Sequence, residues 1–247
     1  MSTTYETGHA KNVASFETLI SFCKAYGATY NPGKAALSVA SLTTLLQQAQ
    51  ASLEQLKTAE SMFNTATNKR GQAFKPLKSL STKIINALDA TDASAEVVKD
   101  ARTINRKLQG KRAVAVDKTQ PADAAQTASP KVISASQLSF DQQVEHFAKL
   151  VVLLSSETSY TPNETELQVA TNQQRLTDLR NANSSVVDTY TGLNKARLER
   201  DRVFYTALSG MVPVALDVKK YVKSIYGAAS PEYKQVAGLE FKNINPR

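Results

Sequence analysis

Two stretches of this 247-residue chain carry the same punctuation: "YNPGKAALSVA" from Tyr30 and "YTPNETELQVA" from Tyr160. Behind each runs an apolar frame with alternating steps of three and four. In the first it is Val39, Leu42, Leu46, Ala49, Leu53, Leu56 and Phe63; at the offset that separates the two tyrosines stand Val169, Asn172, Leu176, Leu179, Asn183, Val186 and Leu193. This spacing winds one apolar stripe along a helix and fits no alternating strand. It predicts long helices over 37–67 and 167–197, with Leu46, Leu56, Phe63, Leu176, Val186 and Leu193 in the core. If they run on to Phe74 and Phe204, each helix is roughly 50 Å long at 1.5 Å per residue. Asn31-Pro32 and Thr161-Pro162 read as an N-cap residue followed by proline at the first helical position. Thr161 and Glu164 have the spacing of a capping box.

The correspondence continues past the long helices. Pro76-Leu77 matches Pro213-Val214 at a longer offset, which places seven extra residues in the second copy, and Ser94 matches Ser230 as a helix cap. Ahead of each long helix stands a shorter amphipathic one. Its apolar face is Val13, Phe16, Leu19, Ile20 and Cys23 in one copy, and Phe140, Val144, Phe147, Val151 and Leu154 in the other. The second is opened by Ser139 and Gln142 as a capping box. The expected fold is all-α: two tandem copies of a four-helix unit (short, long, short, short), related by a pseudo-two-fold. Residues 1–110 form repeat one, 111–136 an Ala/Pro/Ser-rich linker, and 137–247 repeat two. Gly110 ends the helix before the linker, in which "RAVAV" and "KVIS" have the composition of short strand pairs.

Composition agrees with helices, since Gly is scarce at nine residues and a turn-rich β protein needs more. The first twenty residues lack a basic stretch followed by an apolar one, so no secretory signal is expected. The densest apolar run, "LVVLL" at 150–154, is far short of a membrane span. A single Cys rules out an intramolecular disulfide framework and fits a reducing compartment. A soluble cytoplasmic protein with no membrane association is expected. The net charge of +8 is uneven: residues 69–112 hold eleven Lys and Arg against four acids.

The runs "FKPLKSLSTKIINAL", "ARTINRKLQGKR", "SYTPNETELQVAT" and "LDVKKYVKSIYGAASPEYKQVAGLEF" resemble a bacterial family of duplicated all-helical proteins with no assigned function. The resemblance covers most of the chain. It implies a bacterial, cytoplasmic protein and carries no activity, substrate or ligand.

Glycine-rich phosphate cradles of the two common kinds are absent, as is a nucleophile elbow. Two His and one Cys are too few for a structural zinc site. No catalytic, cofactor-binding or metal-binding residues are assigned, and the chain is not expected to be an enzyme. His146, beside Phe147, reads as a half-buried packing residue, and Cys23 as a buried structural thiol. Asn172 and Asn183 replace Leu42 and Leu53 in the seam. Either they are buried and fix register, or the second helix is rotated and they face water.

The basic segment has functional colour. Lys99, Arg102 and Arg106 form a stripe beside the apolar face of Val97, Ala101, Ile104 and Leu108, and Lys107, Lys111 and Arg112 follow. Such a stripe can sit on phosphates, but it lacks aromatic side chains for stacking bases. The plainer reading is a solvated face whose cations complement the helix C-terminus. The expected function is a non-enzymatic helical scaffold that pairs with itself or with another protein. The alternative is a non-specific nucleic-acid-associated protein using residues 99–112.

Overall fold

A computed structural model describes residues 4–110 and 138–244, which are predominantly helical with no strand among them. In chain order the helices are α1 (Thr4–Ala25), α2 (Val39–Phe74), α3 (Leu77–Asp89), α4 (Ala95–Gln109), α5 (Phe140–Ser156), α6 (Val169–Tyr205), α7 (Met211–Tyr226) and α8 (Pro231–Ala237). A short helix, a long one of 36 or 37 residues, and two short ones follow each other twice. "RAVAV" and "KVIS" lie outside the described residues.

Side-chain caps set several boundaries. Ser94, Ser139 and Ser230 accept the backbone N–H of Val97, Gln142 and Tyr233 at the starts of α4, α5 and α8. Each satisfies a donor that the first helical turn cannot use. Gly110 ends α4 at φ 70°, a left-handed conformation that glycine adopts without strain. The long helices do not begin at the proline signatures. Asn31-Pro32 and Thr161-Pro162 lie in loops, and helix starts only at Val39 and Val169. The cause is a loop that closes on itself: the buried hydroxyls of Tyr30 and Tyr160 donate to the carbonyls of Leu37 and Leu167. Ser38 then accepts the N–H of Ser41 and takes the capping role expected of Asn31.

By compactness the chain divides into two units, residues 1–63 with 189–247, and residues 64–188. In the first, Phe16, Leu19, Ile20 and Cys23 of α1 share a core with Leu42, Leu46 and Ala49 of α2, Phe204 of α6, and Val214, Val218 and Val222 of α7. In the second, Leu80, Ile84 and Leu88 of α3 and Val98 and Leu108 of α4 pack with Phe147, Leu150, Val151 and Leu154 of α5. Each core thus draws on both sequential halves of the chain. Fully burying an aliphatic or Phe side chain contributes on the order of 1.5–3 kcal/mol, so neither half holds a complete set of stabilising contacts.

Buried positions recur with regular spacing. Phe16, Leu19, Ile20 and Cys23 on α1 are matched, at one fixed offset, by Phe147, Leu150, Val151 and Leu154 on α5. Leu77, Leu80, Ser81, Ile84 and Leu88 on α3 are matched in the same way by Met211, Val214, Ala215, Val218 and Val222 on α7. This spacing exceeds the offset between the long helices by four residues. They fit into a turn in which Leu208 takes a positive φ of 69°. Gly210 there leaves no room for a Cβ, which would stand 2.7 Å from the Thr206 nitrogen.

The expected core positions on the long helices are buried except Phe63, which is half-buried with its ring centroid 5.7 Å from that of Tyr190. Asn172 is fully buried and does not face water. Its side-chain amide donates to the carbonyls of Glu166 and Gln168, tying the entry loop to the first turn of α6. Asn183 is half-buried and donates to Asp141 at the start of α5.

Candidate interaction surface

In the first unit, α2 and α6 enclose an open groove of about 840 Å³. Glu54, Gln55, Thr58, Ala59 and Met62 line it from α2, and Gly192, Lys195, Ala196, Leu198, Glu199 and Arg202 line it from α6. Steps of three and four put each set on one helix face. Ala59, Gly192 and Ala196 have little or no side chain, so the floor lies near the backbones. Met62 and Leu198 stand beside it, 58% and 70% exposed. Apolar side chains that open to solvent around a recess are features of binding surfaces. The charged rim is partly paired on its own helices: Glu54 with Lys57 at 2.8 Å, and Glu199 with Arg202 at 2.6 Å. Hydrogen bonding from Arg202 holds the Glu199 carboxyl below its usual range.

The basic segment is only partly brought together. Lys99, Arg102 and Lys107 are exposed on α4 and Arg106 is half-buried, while Lys111 and Arg112 lie outside the described residues. Arg102 is engaged by Asp89 of α3 at 2.7 Å. Asp100 and Glu96 share the helix, so cation and acid alternate over its surface.

Sequence reading passed over a buried polar cluster in the first unit. His9 and Asn12 are 1% and 2% exposed. Their spacing to Phe16 continues the three-and-four pattern of the α1 face, which was the available signal. The His9 Nδ1 lies 2.8 Å from the Tyr205 hydroxyl, and its ring meets Phe204 edge-on. Burial, aided by the nearby Arg200, lowers the His9 pKa to about 4, against an opposing effect of Asp201. Asn12 clamps the C-terminal segment by donating to the Lys242 carbonyl and accepting the Lys242 N–H. Phe241 packs edge-on against Phe16, and Lys219 donates to the carbonyls of Ala237 and Leu239. Glu6 precedes His9 by three residues, a spacing used by metal-binding bundles. Among the described residues, however, no three His, Cys, Asp or Glu side chains gather as a metal site.

His146 is buried in the second unit rather than half-buried, and burial together with Lys107 and Lys149 lowers its pKa. Cys23 is buried, which pushes its thiol up to about 11 and keeps it protonated and unreactive near neutral pH.

No family model, curated protein or solved structure matches the chain. Among the described residues, no helix is long and apolar enough to cross a membrane.

Proposed function

We propose that the protein is a non-enzymatic helical scaffold, two tandem copies of one four-helix unit, that works in the cytoplasm by associating with itself through its long helices. The observation that carries this reading is the α2–α6 groove, where Met62 and Leu198 stay exposed beside a floor of small residues. The duplication is supported by the paired tyrosine bonds and by the recurring burial patterns of α1 with α5 and of α3 with α7. Sedimentation equilibrium between about 1 and 200 µM tests the reading, a range chosen for the modest affinity of a small apolar patch. Mass should rise with concentration. A constant monomer mass across that range overturns the proposal.

The alternative function, sequence-independent nucleic-acid binding, is favoured by the exposure of Lys99, Arg102 and Lys107 on α4. The Arg102–Asp89 ion pair weakens it by occupying one of the cations. It requires a mobility shift on arbitrary duplex DNA that disappears with rising salt.

A further inference from the structure

We infer that the surface of the first unit beneath residues 239–244 is a peptide groove. The chain's own segment fills it here. In trans it takes an extended segment of another protein that carries an aromatic residue and, three positions on, an aliphatic one. This surface is separate from the α2–α6 groove, and its use does not require self-association.

Residues 239–244 follow α8 as neither helix nor strand, so their peptide groups depend on partners from outside the segment. Helices α1 and α7 supply them. The Asn12 side chain, 2% exposed, donates to the Lys242 carbonyl at 2.8 Å and accepts the Lys242 N–H at 3.0 Å. From α7, Lys219 donates to the Ala237 and Leu239 carbonyls at 3.0 and 2.7 Å. These bonds all end on main chain, which nearly every residue type presents alike, so they give affinity without choosing a sequence. A buried amide that pairs both its oxygen and its nitrogen with the backbone of one residue is the complement of an extended chain.

Choice of sequence comes from two apolar seats. Phe241 stands edge-on to the fully buried Phe16 with ring centroids 6.5 Å apart, and the Lys219 ammonium lies 5.8 Å from the Phe241 centroid. Ile244 lies over Gly8, where a Cβ would collide with its side chain. Glu240, Lys242 and Asn243 face solvent. The Glu240–Lys11 ion pair is exposed on both sides and adds little. The present occupant is held loosely: Leu239, Phe241 and Ile244 are half-buried, and no side chain of the segment is fully buried. A segment held in this way can leave without opening the core of Phe16, Leu19, Val214 and Val218. While it stays, it lowers the apparent affinity for a competitor in proportion to the time the groove is empty.

The probe is a fluorescent peptide with the sequence of residues 238–244, GLEFKNI, titrated into the full chain. Phe241→Ala with Ile244→Ala in the chain loosens the resident segment, and the peptide should then bind about tenfold tighter, or more, than to the wild type. Adding Asn12→Leu should remove that gain, and a peptide with both apolar residues changed to Ser should not bind. Equal binding to the wild type and the folded double variant overturns the groove, with circular dichroism as the check on folding. Hydrogen exchange on the wild type is a second measurement that needs no variant. The Lys242 amide should exchange about a hundredfold faster, or more, than that of Val218 in α7. Equal protection would mean that the segment opens only with the whole unit, which also overturns the proposal. If sedimentation shows wild-type self-association that the double variant loses, the occupant is the same segment of a second copy, and the assignment to another protein is wrong.

Discussion

The Tyr30 hydroxyl donates to the carbonyl oxygen of Leu37 at 2.7 Å, and the Tyr160 hydroxyl reaches Leu167 in the same way at 2.9 Å. Each bond spans seven residues, is buried, and closes the loop that launches a long helix. Replacing either Tyr with Phe keeps the ring and strands a buried carbonyl, a loss of about 1–3 kcal/mol. Urea unfolding of Tyr30→Phe and Tyr160→Phe should show matching drops. A change below about 0.3 kcal/mol at both sites would mean that the loops close by packing alone.

Acid should destabilise the protein through His9. Its folded pKa is lowered to about 4 from an ordinary 6.5, so between those values the unfolded chain binds the extra proton and the folded one does not. Stability therefore falls as pH drops through that window, by up to roughly 3 kcal/mol for this one group. His9→Phe keeps a ring at this buried position while removing its titration, and should flatten part of the slope between pH 7 and 4. His146, also lowered, accounts for a further part, separable with His146→Leu. An unchanged slope in His9→Phe would show that this histidine is not held neutral.

Leu56 is 1% exposed, and Leu56→Ala should cost about 2–5 kcal/mol. Phe63→Ala should cost less despite removing more atoms, because its ring is half-buried against Tyr190 rather than enclosed. Thermal or urea unfolding that ranks the two the other way would place the centre of the seam wrongly.

Cutting the backbone between residues 111 and 137 should not separate the molecule. Both cores combine helices from either side of that segment, so the fragments hold each other by the contacts that hold the intact chain. With an engineered protease site there, denaturing gels should show two bands, while light scattering still reports about 26.8 kDa or its multiples. Fragments that part at micromolar concentration would contradict the shared cores.

The sequence made the long helices legible because an apolar residue every three or four positions leaves a helix one face to bury. It misplaced their starts because a cap residue before proline is an ordinary opening for a helix, whereas the Tyr–Leu bonds are tertiary. Nor do the two prolines that were compared hold the same place in their helices, since Pro213 lies inside the first turn of α7 and Pro76 just before α3. Periodicity shows which face is buried but not what covers it, so the partnership of α1 with α7 and of α4 with α5 could not be read. The groove was equally silent: Ala59, Gly192 and Ala196 mark it by small size, a signal shared with any exposed helix position.

The division of the chain also sets an order of events during synthesis. Residues 64–188 are contiguous and can close their core as soon as α6 is under way, whereas α1 needs Val214, Val218 and Val222 of α7. At about 5–20 residues per second, Phe16, Leu19 and Ile20 are made roughly 10–40 s before these α7 partners, with only Leu42, Leu46 and Ala49 of α2 arriving early. For that interval the amino-terminal helix is an apolar surface covered only in part, and the exposed remainder is open to association on a nascent chain however stable the finished fold is.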